Sequence, residues 1–211
     1  MPTITAIEKQ KRRPRADIHL DGAYALSISL DLVFERGLMV GAALDHGDRR
    51  ALEAEDQRRG AIASALRSLA MQPRSEKDLR ERLSRRGFRR DAVDAAITRV
   101  RELGYLDDAV FARQYIESRQ RATPRSRRAL AFELGRKGVD RELASESVAD
   151  LSDAEAAYDA AQRRLRALGS LDRQTFTRRL ATFLASRGFG YGVARAAIDR
   201  CWRELAEAAE P

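Results

Sequence analysis

Cysteine is almost missing from this chain: Cys201 is the only one in 211 residues. No internal disulfide can brace the fold, and a cysteine-based zinc site is excluded. The two histidines, His19 and His46, lack both the i, i+4 spacing and the partners of a metal site, so they read as surface or edge residues. No glycine-rich loop leads into Lys-Ser/Thr and no Gly-x-Ser-x-Gly occurs, which argues against a nucleotide site or a serine nucleophile. No apolar run approaches the roughly 20 residues that span a bilayer. The N-terminus lacks the apolar core of a signal peptide. These absences predict a soluble, non-enzymatic protein of the reducing cytoplasm, without cofactor or metal and without a membrane.

What the chain does have is arginine. Lys plus Arg number 40 against 32 Asp plus Glu, a formal charge of +8, with a pI near 10.2. Such a balance fits nucleic acid or another acidic surface, although extra charge on a solvated face or a codon bias toward Arg gives the same totals. Aromatic residues make up 6% of the chain and few interleave with the arginines, so base stacking and sequence readout are not expected.

An internal repeat organises the rest. Leu83-Ser84-Arg85-Arg86-Gly87-Phe88, Leu134-Gly135-Arg136-Lys137-Gly138-Val139 and Leu184-Ala185-Ser186-Arg187-Gly188-Phe189 all fit Leu-x-x-(Arg/Lys)-Gly-apolar, recurring about every 50 residues as helical arrays do. Upstream of each Gly stands Leu79, Leu130 or Leu180. Downstream stand Ile97, Val148 or Ile198, then Val100, Leu151 or Cys201. Spacings of three and four place Leu79 with Leu83, and Val93 with Ile97 and Val100, on single helix faces. The Gly between them can adopt φ > 0 and end the first of these helices, and the basic residue before it suits the negative end of the helix dipole. Ser75 with Asp78, and Ser152 with Glu155, resemble capping boxes that start helices. The adjacent acids Asp107 and Asp108 read as N-capping residues, not as a metal pair. Cys201, aligned with Val100 and Leu151, reads as a small core residue.

The predicted architecture is mainly α: an elongated array of three tandem three-helix repeats over residues 57–106, 107–151 and 152–211. Each repeat is expected to bury an apolar face against its neighbour. Residues 1–56 do not follow the repeat. Ile18 and Leu20, then Tyr24, Leu26 and Ile28, alternate on either side of Asp21-Gly22, a hairpin signal. A short helix over Leu30 to Arg36 should stop at Gly37. Ahead of the hairpin, Lys9, Lys11, Arg12, Arg13 and Arg15 are expected to form a mobile basic arm.

Two basic clusters are the candidate contact surface. Arg119, Arg121, Arg125, Arg127 and Arg128 lie close together with no acid among them, and Arg74, Lys77, Arg80 and Arg82 hold the matching place in the first repeat. Arg86, Arg136 and Lys137 flank the repeat glycines. The guanidinium fork suits phosphate and carboxylate, so matching loops should set these residues along one flank as a basic track.

The run Arg74-Ser75-Glu76-Lys77-Asp78-Leu79-Arg80 leading to Leu83-x-x-Arg86-Gly87-Phe88, then Leu103-Gly104-Tyr105-Leu106-Asp107-Asp108 and Phe111-Ala112, resembles the RecX regulatory proteins of bacterial recombination. So do Leu184–Phe189 and the Asp21-Gly22-Ala23-Tyr24 hairpin with Leu38-x-x-Gly41. The middle repeat departs from the family's Gly-x-x-(Arg/Lys) turn, reading Thr123-Pro124-Arg125. The resemblance implies a modulator, usually an inhibitor, of the RecA recombinase; the chain itself is expected to be a monomer. It also implies binding in the groove of the RecA filament and to single- or double-stranded DNA without sequence preference, with lowered ATPase, strand exchange and co-protease activity. No catalytic residue is implied. A helical-repeat DNA-binding protein acting without RecA, or an adaptor for some other acidic protein, stays open on the residues alone.

Overall fold

The computed structural model describes residues 1–169 and 171–207. Among them run three strands, β1 (Ile4–Lys9), β2 (Arg15–Leu20) and β3 (Ala23–Ser29). Ten helices follow: α1 (Leu30–Glu35), α2 (His46–Met71), α3 (Glu76–Arg85), α4 (Arg90–Glu102), α5 (Asp108–Ala122), α6 (Arg127–Arg136), α7 (Arg141–Ser147), α8 (Asp153–Leu168), α9 (Arg173–Ser186) and α10 (Tyr191–Glu207). The chain divides into two compact units. One holds residues 1–73 and 79–106, the other residues 74–78 and 107–211.

In the first unit the strands form one antiparallel sheet in the order β1-β2-β3. Asp21 (φ 49°) and Gly22 (φ 83°) make the β2–β3 turn, with positive φ at both central residues as a tight primed hairpin turn requires. The expected basic arm is corrected here. Ile4 to Lys9 is itself a strand paired with β2, because Ile4, buried at 1% exposure, anchors it in the core with Ile18 and Ile28. Arg15 is not on an arm either. It lies on β2 and its guanidinium meets Asp56 of α2 at 2.8 Å. Asp56 also accepts the Ser29 N–H at 2.8 Å, so this buried carboxylate ties the sheet to α2. Leu30–Glu35 is helical, capped by the Ser29 hydroxyl, and Gly37 follows with φ 61°.

The first helix of repeat one begins well ahead of residue 57, because Asp45 caps it by accepting the Asp48 N–H at 2.7 Å. The repeat itself is as regular as its punctuation. Leu79, Leu130 and Leu180 are fully buried, and so, within 1%, are Leu83, Leu134 and Leu184. After each of these helices the chain closes in the same way. Phe88 N–H reaches Leu83 O, Val139 N–H reaches Leu134 O and Phe189 N–H reaches Leu184 O, at 3.1–3.3 Å, while each glycine N–H bonds three residues back. With φ of 86°, 91° and 89° at Gly87, Gly138 and Gly188, these are Schellman closures. They satisfy carbonyls that the helix end leaves without partners.

One expectation changes. Each repeat closes over its own apolar cluster: Leu79, Leu83, Val93, Ile97 and Val100 in the first, Ile116, Leu130, Leu134 and Val148 in the second, Phe176, Leu180, Leu184, Ile198 and Cys201 in the third. Three short helices are enough to enclose such a cluster, so a repeat does not depend on its neighbour to cover its apolar face. Where repeats meet inside the second unit, polar and backbone contacts are prominent instead.

Candidate anion-binding surface

Two matching seams lie within the second unit, and each is built on the start of a repeat's middle helix. At the first, Ser75 precedes α3. Its hydroxyl accepts the Asp78 N–H at 3.3 Å and donates to the Lys137 carbonyl, while the Glu76 N–H donates to Asp108 Oδ1 at 2.9 Å. At the second, Ser126 caps α6 by accepting the Ala129 N–H at 3.2 Å, its own N–H donates to the Arg187 carbonyl at 3.2 Å, and the Arg127 N–H donates to Asp153 Oδ1 at 2.7 Å. The two glycines sit in these seams. A Cβ on Gly138 would lie 2.3 Å from Lys77 Cβ, and one on Gly188 would lie 2.6 Å from Ser126 Oγ and 2.8 Å from Ala129 Cβ. Gly87, in the same turn of the first repeat, has nothing within 4 Å of that position. Asp107 is the N-cap expected of it, accepting from Ala109 and Val110 at 2.7 and 3.1 Å, but Asp108 serves the seam instead.

The basic residues singled out from sequence separate on this frame. Arg74 is 8% exposed and its guanidinium holds Asp78 at 2.6 Å, so burial removes it from any contact surface. Arg80 is paired with Asp94, holding that carboxyl below its usual range, and Arg86 donates to the Ser64 hydroxyl. The run from Arg119 to Arg128, free of acids in sequence, is not free of them in space. Glu133, the seventh residue of α6, meets Arg119 at 3.0 Å and Arg125 at 2.9 Å. It also accepts the Tyr115 hydroxyl at 2.6 Å. Burial, then the bond to Glu133, raises the Tyr115 pKa. Arg119 and Lys137 lie 5.2 and 5.4 Å from the Tyr115 ring centre, each within cation–π range. Arg119 and Arg125 therefore shape the loop. Lys77, Arg121, Arg127, Arg128, Arg136 and Lys137 remain exposed, and Arg121 keeps 80% of its side chain in solvent despite a 3.1 Å contact with Glu117.

Three arginines outside those basic clusters complete the second seam. Arg163, on α8, donates to the carbonyls of Arg121 at 2.6 Å and Ala122 at 2.9 Å, placing a cation on the negative end of α5. The guanidinium carbons of Arg164 and Arg187 lie 4.5 and 4.1 Å from the centre of one Phe183 ring. Burial, then the charges of Arg125, Arg164 and Arg163, lowers the Arg187 pKa. The available signal was Arg187's match to Lys137 in the repeat motif; the approach of α8 to the α5–α6 loop has no local signature.

Cys201 is fully buried. Burial, and then the charge of Glu204, pushes its thiol up to about 11, against the lowered pKa of a nucleophile. Among the described residues, no group of three or more His, Cys, Asp or Glu side chains could hold a metal ion. No helix among them is long and apolar enough to cross a membrane.

A small antiparallel sheet followed by tandem three-helix repeats, with guanidinium groups gathered on a turn between two of them, defines a helical-repeat protein whose exposed chemistry is cationic. Four family models match the chain in order: the RecX N-terminal domain over residues 2–45, and the first, second and third RecX three-helix domains over 61–99, 107–148 and 152–198. Regulatory protein RecX of Lactobacillus delbrueckii subsp. bulgaricus is 33% identical over 93% of this chain and 73% of its own. That of Clostridium botulinum is 27% identical over 92% and 93%. A crystal structure of regulatory protein RecX superposes with TM-score 0.65 at 24% identity, covering 94% of this chain and all of the other, and that of RecX from Lactobacillus salivarius with TM-score 0.61 at 18% identity, covering 72% and 99%. These two establish the fold. The chain belongs to the RecX family of regulatory proteins, which is not an enzyme family.

Proposed function

We propose that this chain is a non-catalytic inhibitor of the RecA recombinase. It binds in the groove of the RecA–DNA filament and lowers DNA-dependent ATPase, strand exchange and co-protease activity. The observation that carries the reading is the unbroken order of four RecX family matches from residue 2 to 198. Tandem repeats also suit a periodic target, since several weak contacts at a fixed pitch gain by effective concentration. The contact set is Lys77, Arg121, Arg127, Arg128, Arg136 and Lys137, all exposed, with Arg80 and Arg86 as secondary cations and Arg119 and Arg125 as the residues that hold the loop. The protein acts in the cytoplasm as a monomer and meets DNA through phosphate, not base edges.

The test measures RecA's DNA-dependent ATPase and strand exchange with stoichiometric wild-type chain and with Arg121, Arg127 and Arg128 changed together to Ala. The wild type should inhibit both and the triple variant should not. Unchanged RecA activity with the wild type would sink the reading. The arginine gathering at the second seam also supports a second reading, DNA binding without RecA. Steeply salt-dependent DNA binding with no capture of RecA would favour it.

A further inference from the structure

We infer that the seam between the second and third repeats is a seat for a backbone phosphodiester of DNA, held by Arg164 and Arg187 with Arg125 behind them and Arg163 supplying charge. This deepens the DNA-contact part of the proposed function and rests on it.

Four cations come from three parts of the fold: Arg125 from the α5–α6 loop, Arg163 and Arg164 from α8, and Arg187 from the end of α9. Like charges brought together on folding cost free energy unless an anion compensates them. Arg125 has such an anion in Glu133. Among the described residues, no carboxylate lies within ion-pair distance of Arg163, Arg164 or Arg187, and the charges of Arg125, Arg164 and Arg163 all act on Arg187. Arg187 Nε and Arg125 Nε are both buried without a hydrogen-bond partner, a condition that native proteins rarely leave in place. A seam that gathers positive charge and leaves donors over is built for something it does not itself contain.

The geometry favours phosphate over carboxylate. Phe183 holds the Arg164 and Arg187 guanidiniums against one ring, so both heads are positioned in advance and less rotamer freedom is lost on binding. A carboxylate has two coplanar oxygens and is satisfied by one fork. Each of the two non-bridging oxygens of a phosphodiester accepts from several directions around a tetrahedral phosphorus, which suits forks approaching from different elements. With both cations packed on it, Phe183 is not free to stack a base, so the site takes DNA without regard to sequence.

The test uses fluorescence anisotropy of a labelled oligo-dT across a salt series, and of a labelled duplex. Three variants of the full chain are compared with wild type: R164Q/R187Q, the charge-keeping R164K/R187K, and R50Q/R195Q, which removes the same charge from exposed helix positions elsewhere. Thermal unfolding by circular dichroism confirms that each is folded. R164Q/R187Q should bind about tenfold more weakly and flatten the log K against log salt slope by about one to two. R164K/R187K should fall between it and wild type, because charge without the fork is half the site. R50Q/R195Q should change binding by less than about threefold. Equal losses in R50Q/R195Q and R164Q/R187Q, an unchanged R164Q/R187Q, or a wild-type chain that binds neither DNA, would each overturn the seat. RecA ATPase measured on the same proteins keeps the two readings apart. A seat that passes the DNA test while wild type leaves RecA untouched means that the RecA reading alone has failed.

Discussion

The two seams of the second unit share a plan and differ in their charge. Both place a serine at the start of a middle helix against the carbonyl that precedes a repeat glycine, and both end on an aspartate at the first turn of the next repeat. At the first, the buried arginine has its own acid, Arg74 with Asp78. At the second, Arg125 takes Glu133 while Arg163, Arg164 and Arg187 have no acid of their own among the described residues. One seam is a joint. The other is a joint with unused binding capacity, and the local supply of carboxylates sets that difference in charge.

The most severe way to break the comparison is through its glycines. G138A and G188A each add a Cβ where neighbouring atoms stand 2.3 and 2.6 Å away, on top of a positive φ that alanine adopts poorly. Each should cost about 3–4 kcal/mol in urea unfolding. G87A carries only the φ penalty and should cost about 1–2 kcal/mol. Equal costs at all three positions would mean that the seams are not tight. Next in size is E133Q, which leaves Arg119 and Arg125 without their shared acid. It should destabilise by about 2 kcal/mol, well below a fully buried pair because Arg119 is 40% exposed. Smaller still is the contrast between serines. S75A loses both a cap and a hydroxyl-to-carbonyl bond, about 2 kcal/mol, whereas S126A loses the cap alone, about 1 kcal/mol, since its seam bond comes from the backbone N–H.

The smallest expected effect is at Cys201. With its thiol raised from 9.0 to about 11, the neutral form is favoured by the fold. Any stability it contributes is complete below the unfolded thiol's range and is lost as pH rises from about 9 through 11. At pH 8 a thiol reagent should label the folded chain negligibly and the urea-unfolded chain fully. Rapid labelling of the folded chain would show that the third core opens.

Much of this was legible in the residues because it is local. A leucine pair, a basic residue, a glycine and an apolar residue write a Schellman closure wherever they fall, and Asp21-Gly22 writes its own turn. The basic arm was misread because the strand Ile4–Lys9 shows itself only through its pairing with β2. The acid-free arginine run looks unpaired in sequence because Glu133 lies five residues beyond its end but against it in space. Gly138 and Gly188 carry a second duty that their turns alone cannot reveal: at Gly87 the motif is the same and the space beside it is empty. Arg164 and Arg187 share Phe183 only after α8 and α9 of the third repeat have packed together, and Arg125 joins them only where the second repeat meets the third.

The seam bonds have a consequence for how such a chain could arise. At both joints the acceptor beside the repeat glycine is a main-chain carbonyl, which every amino acid carries, and the donor is a serine side chain or an amide. A duplicated unit therefore arrives with half of its docking already in its backbone. It needs only a glycine where the neighbour approaches and an aspartate at its first turn, so surface side chains can diverge from copy to copy, as the arginines here have, without any joint having to be reinvented.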